Sequence, residues 1–243
     1  MMRSLNSSIF VGARSLLFVV VSLLLFVPGV FEVPPIDRDE PRFAQSSKQM
    51  IETGDYVDIR LQEDTRYKKP VGVYWAQSVL VGWLANPPFN EIGWYRLVSV
   101  ISMIGCVLLT GYIFSILVAS KIAWRASAIM GMFLLSGVEA RLAKSDAFLL
   151  FFILMAMVPV AQLFMQRSVN RILFYGGLGA GVLVKGPVIF IPVLGSLGID
   201  VRMAAECALV VSSLDLVGNS YVRLHNRSLV FGNRHPKSWP VFR

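Results

Sequence analysis

The chain has 243 residues, of which 55% are hydrophobic and only 16% are charged, and its mean hydropathy is +0.62. These values exclude an ordinary water-soluble globular domain and favour an integral membrane protein. The formal net charge of +8 does not indicate nucleic-acid binding. The basic residues lie mostly in short connections and in the tail, where membrane topology and anionic lipid explain them.

The first apolar run, Ser15–Phe31, extends back toward Ile9 and reaches the roughly 20 residues that a membrane span needs. A cleavable signal peptide is the alternative, because Arg3 and Arg14 precede the run. The exit lacks small residues at cleavage-site spacing, so the sequence favours an uncleaved helix that prolines end.

A polar loop over residues 32–70 follows, and nine of the fifteen acidic residues fall between positions 32 and 64. The apolar spacing in "RFAQSSKQMIETG" predicts a short helix that ends at Gly54. The next apolar run, Val71–Ala85, is short for a span and carries Trp75 and Trp83. Because tryptophan favours the membrane interface, we expect this helix to lie at the membrane surface.

Four later apolar runs predict membrane spans: Trp94–Val118, Trp124–Val138, Phe148–Met165 and Ile172–Val184. Counting spans places the large loop, "EARLAKSD" and "VKGP" on one side of the membrane. Two bases in each remaining connection favour the cytoplasm for the opposite side. The three polar segments are therefore predicted to be external.

The loop begins with "DRDEPRFA", in which Asp39 and Glu40 are adjacent and Arg42 follows two positions later. Carboxylates just outside a membrane can deprotonate an acceptor group, alone or with a divalent cation. A solvated loop with surface ion pairs is the alternative. Composition by itself favours that alternative.

Cations precede the surface helix in "RYKKPVGVYW", where Arg66, Lys68 and Lys69 could hold a lipid-linked phosphate. An electrostatic anchor on anionic lipid explains them equally well.

Two later residues, Asp146 and Lys185, also have a functional and a structural interpretation. Asp146 lies at the start of an apolar run, where an ionised side chain is costly and usually has a function. The alternative is that Ser145 and Asp146 cap the N-terminus of the next helix. Lys185 lies at the end of another apolar run. Its simpler interpretation is that the side chain extends to the membrane–water interface.

Taken in order, "DEPRFAQSSKQMIETGDYV", "RYKKPVGVYW", "ARLAKSDAFLLFF" and "LVKGP" resemble the N-terminal half of membrane glycosyltransferases. The resemblance is to the dolichyl-phosphate-mannose-protein mannosyltransferase and aminoarabinose (lipid A) transferase superfamily, of the GT-C fold. It covers about residues 9–195 and implies an all-α, polytopic transmembrane protein with a large external loop of short juxtamembrane helices. It also implies the inner membrane as location and a polyprenyl-phosphate-linked sugar as donor.

The resemblance implies roles for seven residues. Asp39 and Glu40 are the predicted catalytic pair. The predicted substrate-binding residues are Arg42, Tyr67, Lys69, Asp146 and Lys185. The acceptor is a lipid or a protein, no cofactor is certain, and a divalent cation is compatible with the paired carboxylates. A transporter or channel subunit with membrane-buried Asp and Lys is the alternative function.

The chain departs from the family in length and in its last part. We expect residues 1–200 to form the N-terminal half of a GT-C-like membrane domain and residues 201–243 to form a basic tail unlike the family. A frameshifted or prematurely ended gene would produce this pattern. We therefore expect the chain to be a truncated member of the family whose activity is affected.

Overall fold

The computed structural model describes residues 15–36, 38–118 and 120–197. The chain separates into two compact units, Met1–Val193 and Leu194–Arg243, and the second is described only over residues 194–197. Three features of the sequence lie outside the described residues: the predicted basic tail, Asp37 and the start of the first apolar run.

The described part of the chain is helical, as predicted. Its helices are α1 Ser15–Phe26, α2 Glu40–Thr53, α3 Gly72–Leu84, α4 Ile92–Leu117, α5 Ser120–Met132, α6 Leu134–Ala140, α7 Asp146–Phe164, α8 Arg171–Lys185 and α9 Phe190–Leu197. A 3₁₀ turn, Gly186–Ile189, joins α8 to α9. A hairpin of two short strands, β1 Arg60–Leu61 and β2 Asp64–Thr65, lies in the polar loop.

Helix α1 ends at Phe26, earlier than the predicted end at Phe31. Pro28 disfavours helical backbone at the residue before it, and Gly29 takes a left-handed φ of +83°. A turn over residues 28–32 therefore leads from α1 toward α2. Helix α2 ends as predicted, with Gly54 in the left-handed conformation (φ 71°) and its N–H donated to the Met50 carbonyl.

Three stretches of the described chain are long and apolar enough to cross a membrane: Ile92–Leu117, Asp146–Phe164 and Arg171–Ser196. The predicted span over Trp124–Val138 is not a single helix. Extended backbone at Phe133 (φ −66°, ψ 127°) separates α5 from α6, and each of these helices is too short to span a bilayer alone. The break lies in an unbroken apolar run, where hydrophobic periodicity gives no warning of it.

Helix α4 packs against α7, and α7 packs against α8. A Cβ added at Gly177 of α8 would lie 2.9 Å from the Ala156 nitrogen of α7, so these two backbones touch. Close approach at small residues is typical of helix pairs in membranes. Phe26 and Val30, at the end of α1 and in the turn after it, pack with Met103 of α4 in the buried core.

Helix α3 has polar as well as apolar residues on its inner face and apolar ones on its outer face. Inside, Ser47 of α2 donates to Gln77 over 2.8 Å, and Ser78 donates to the Ser47 carbonyl over 3.0 Å. Outside, Val79 and Trp83 are 70% and 84% exposed. An apolar outer face is unlike that of a helix in water and agrees with the predicted place of α3 at the membrane surface, which stays a prediction.

Candidate active site

Asp39 lies at the N-cap position of α2, with its carboxylate open to solvent between two arginines. Its Oδ1 is 3.4 Å from Arg42 Nη1 and 4.0 Å from Arg66 Nη2. The Asp39 side chain is 48% exposed, and it makes no capping hydrogen bond to the helix. The carboxylate is therefore available to a reactant, in a field made positive by its neighbours.

Arg66 is buried beside Asp39, and the guanidinium lies against Tyr74 of α3. Burial raises the pKa of the Tyr74 hydroxyl, and the Arg66 guanidinium opposes that rise through a hydrogen bond to the hydroxyl and through its charge. Within the described residues, Arg66 Nε has no hydrogen-bond partner. Buried donors are normally satisfied, so this corner has unused capacity to bind an anionic group next to Asp39.

Glu40 occupies an environment opposite to that of Asp39, although the two residues are adjacent. Its side chain is fully buried and pairs with Arg96 of α4, which is also fully buried. The Arg96 Nε is 2.6 Å from Glu40 Oε1, and Nη2 is 3.1 Å from Oε2. The predicted catalytic role of Glu40 is untested, and this geometry argues against it because no reactant can reach the carboxylate.

Asp146 and Lys185 form an ion pair between the ends of two helices. Asp146 is the first residue of α7, Lys185 is the last residue of α8, and Lys185 Nζ donates to Asp146 Oδ1. Their side chains are 42% and 29% exposed. Ser145 makes no side-chain capping bond, so the capping alternative is not supported at that residue. The Lys185 ammonium pairs with the Asp146 carboxylate instead of extending alone to the interface.

The three polar segments predicted to share one side of the membrane do come together. Ala143, in the segment before α7, donates its N–H to Glu40 Oε1 over 2.9 Å. A Cβ added at Gly72 would lie 2.6 Å from the Leu183 carbonyl, so the start of α3 touches the end of α8. With the Asp146–Lys185 pair, these contacts confirm that the loop, "EARLAKSD" and "VKGP" converge.

Two of the predicted substrate-binding residues, Tyr67 and Lys69, take no part in the ion pairs of Asp39 and Asp146. Tyr67 is 69% exposed and donates to Asp58 Oδ1, and this bond raises the Tyr67 pKa and lowers the Asp58 pKa. Lys69 is half-buried and makes no hydrogen bond or ion pair among the described residues. It lies three positions before Gly72, close in the chain to the contact with Leu183.

Neither Arg96 nor Arg141 has a role predicted from the sequence. Arg96 donates to the carbonyls of Val30 and Val33 over 2.7 and 2.6 Å. Arg141 Nε donates to the Pro28 carbonyl over 2.8 Å. Both arginines therefore bind the turn after α1, whose carbonyls lack helical partners. A signal for Arg96 existed, because an ionisable residue inside an apolar helix is costly and has a reason to be there.

No group of three or more His, Cys, Asp or Glu side chains that could hold a metal ion occurs in the part of the chain that the structure describes. Asp39 instead has arginines as its charged neighbours. The proposed chemistry therefore uses the side chains alone, and the predicted divalent cation stays a prediction.

With this geometry in place, comparison with known proteins adds the family. The profile of the dolichyl-phosphate-mannose-protein mannosyltransferase family matches residues 10–213, which is most of the chain. The chain belongs to this family. No curated protein matches the sequence.

Two solved structures of ArnT from Cupriavidus metallidurans have a similar fold. The apo structure is 21% identical, with a TM-score of 0.64, and the match covers 92% of this chain and 44% of that one. The structure bound to undecaprenyl phosphate is 24% identical, with a TM-score of 0.55, over 72% of this chain and 33% of that one. The chain thus spans less than half the length of these relatives, and it is a multi-pass helical membrane protein.

Proposed function

We propose that the protein transfers a sugar from a polyprenyl-phosphate donor to a lipid or protein acceptor at the outer face of the inner membrane. The observation that carries the proposal is Asp39, a solvent-open carboxylate between two guanidinium groups at the start of α2. Membership of a mannosyltransferase family supports glycosyl transfer, and the undecaprenyl phosphate bound to an ArnT supports the class of donor.

In the proposed reaction, Asp39 acts as the general base. The acceptor hydroxyl gives its proton to the Asp39 carboxylate, and the acceptor oxygen forms a bond to the anomeric carbon of the sugar. The bond from that carbon to the phosphate oxygen breaks, and the polyprenyl phosphate leaves with the electron pair. Attack opposite the leaving group inverts the anomeric configuration.

The leaving phosphate gains negative charge, which cations beside it stabilise. Arg42 is 3.4 Å from Asp39, and the half-buried Lys69 makes no ion pair among the described residues, so both are suited to this role. We assign Asp146 and Lys185 to binding polar groups of the substrate, because their ion pair is partly open to solvent. Tyr67 also contacts the substrate in this proposal, because its ring is exposed.

An apolar groove next to Asp146 supports a lipid-linked donor. The cavity has a volume of about 400 Å³, and the residues lining it include Met103, Phe133 and Leu150 with Glu139 and Asp146. Such a space can hold several units of an isoprenoid chain while Asp146, which lines the groove, stays near the sugar. The break between α5 and α6 at Phe133 therefore contributes to the groove rather than only interrupting a helix.

The test is transfer of radiolabelled sugar by the membrane-embedded chain from dolichyl-phosphate-mannose and from undecaprenyl-phosphate-aminoarabinose. Asp39→Asn should lower transfer at least about 1000-fold while leaving expression and folding intact. Asp64→Asn, in an exposed carboxylate of the same loop, is the matched control and should retain full transfer. Full activity in Asp39→Asn, or none in the parent with either donor, would contradict the proposed function.

A further inference from the structure

The buried pair of Glu40 and Arg96 connects three separate segments of the chain. Arg96 Nη1 donates to the Val30 and Val33 carbonyls, and Nη2 donates to Pro34 over 3.3 Å. These bonds fix the turn between α1 and α2 against α4. The guanidinium therefore holds both the turn that precedes α2 and the first residue of α2.

Glu40 extends the same network to the segment before α7. Its Oε1 accepts from Arg96 Nε and from the Ala143 N–H, and its Oε2 accepts from Arg96 Nη2 and from the Ile36 N–H over 3.3 Å. Each carboxylate oxygen thus has two donors, and no lone pair is left for a substrate. Glu40 joins α2, α4 and the backbone three residues before Asp146.

We propose that Arg96 and Glu40 are positioning residues, which set where Asp39 stands relative to Asp146. Asp39 directly precedes Glu40, and Asp146 follows Ala143 by three residues, so the network fixes the chain next to each of these carboxylates. This inference rests on the proposed function, in which the two carboxylates act on one substrate.

Stability alone does not explain such a pair. Replacing a buried ion pair by apolar residues of similar volume is often neutral or stabilising, because desolvation offsets the attraction between the charges. What an apolar pair cannot reproduce is the set of directed bonds to Val30, Val33 and Ala143. Catalysis is sensitive to this, since a displacement of about 1 Å can lower a rate about 100-fold.

The main test replaces both charges at once, as Glu40→Leu with Arg96→Met, so that no unpaired charge stays buried. The matched control makes the same replacements at a partly exposed pair of α2, Glu52→Leu with Lys48→Met, whose charges are 3.5 Å apart. We expect the buried double variant to fold and to lose about 100-fold in kcat with donor KM within about twofold, and the control to keep both constants.

A second measurement does not depend on activity. Nitroxide labels at Thr53→Cys and Lys144→Cys, in a Cys106→Ala and Cys207→Ala background, report the distance from α2 to the segment before α7 by pulsed electron paramagnetic resonance. We expect a single narrow distance in the parent and in the control, and a broadened distribution in the buried double variant. A folded double variant that keeps the narrow distance and the parent kcat would overturn the proposal.

Arg96→Lys provides a milder variant if the double replacement does not fold. It keeps a charge opposite Glu40 but cannot reproduce all the bonds to the turn. Positioning predicts a broadened distance and a lower kcat in Arg96→Lys, with the pH profile unchanged. If Glu40 itself reacted, Arg96→Lys would keep the narrow distance and Glu40→Gln would lose one limb of the profile, which would overturn the proposal. If the parent transfers no sugar, the proposed function fails, and the distances still decide the positioning role.

Discussion

Asp39 and Glu40 are neighbours in the sequence, yet they belong to two different regions of the molecule. One region is the open rim, defined here as Asp39, Asp146 and Lys185, whose side chains are 48%, 42% and 29% exposed. The other is the enclosed pair of Glu40 and Arg96, whose exposure is zero. The rim can meet a substrate and contributes little to folding, whereas the enclosed pair meets no substrate and holds segments together.

The largest expected difference between the regions is in chemical access. Cysteines placed at Asp39, Asp146 and Lys185 should all react with a membrane-impermeant maleimide added from the same side, because the three segments converge. A cysteine at Ser47, which is buried in α2, should stay unreacted until the protein is denatured. Labelling of the three rim positions from opposite sides of the membrane would contradict the convergence.

The next difference is in stability. Glu40→Gln leaves the Arg96 charge buried without a partner, so we expect the free energy of unfolding to fall by about 3–5 kcal/mol. Asp39→Asn removes only exposed ion pairs and should cost less than about 1 kcal/mol. Unfolding in mixed micelles with increasing sodium dodecyl sulfate, followed by tryptophan fluorescence, measures both. Equal losses in the two variants would remove the distinction between rim and enclosed pair.

Salt should separate the regions more finely. In a double-mutant cycle of Asp146→Asn and Lys185→Met, the coupling should be within about 1 kcal/mol at low salt and should shrink in 1 M NaCl, because the pair is partly exposed. The coupling between Glu40 and Arg96 should be larger and should hardly change with salt. A salt-sensitive Glu40–Arg96 coupling would mean that water reaches the pair.

The smallest effect concerns Tyr67, which lies outside both regions. Its hydroxyl lowers the pKa of Asp58, so the charged Asp58 contributes stability above its unfolded pKa and loses it as pH falls through the lower, folded pKa. Tyr67→Phe should raise the Asp58 pKa and shift this loss to higher pH, which carbon-13 NMR of labelled aspartate can follow. An unchanged Asp58 pKa would show that the hydroxyl contact is not formed in solution.

Local sequence signals predicted much of the helical fold. Gly54 marks the end of α2, and the apolar runs around α4, α7 and α8 match the observed helices within a few residues. The break at Phe133 was missed because no proline or glycine lies at that residue. The sequence therefore predicts a helix end where a glycine is present and a helix where a long apolar run is present.

Charge in the sequence predicted the rim but not its partners. Asp39, Asp146 and Lys185 stand at the edges of apolar runs, where a charge is conspicuous. The partners depend on contacts between residues far apart, such as Glu40 with Arg96, 56 positions away. Adjacency in the sequence also gave no sign that the first turn of α2 places Asp39 and Glu40 in opposite surroundings.

The contact between Gly72 and the Leu183 carbonyl makes two distant positions interdependent. Only a hydrogen atom fits at Gly72, because a methyl group would overlap the backbone at 2.6 Å. Lys69 is three residues from Gly72, and Lys185 is two residues from Leu183. A methyl group at Gly72 would therefore push apart the two backbone segments that carry these lysines, without changing either lysine. The spacing of these two cations therefore depends on a residue that has no side chain.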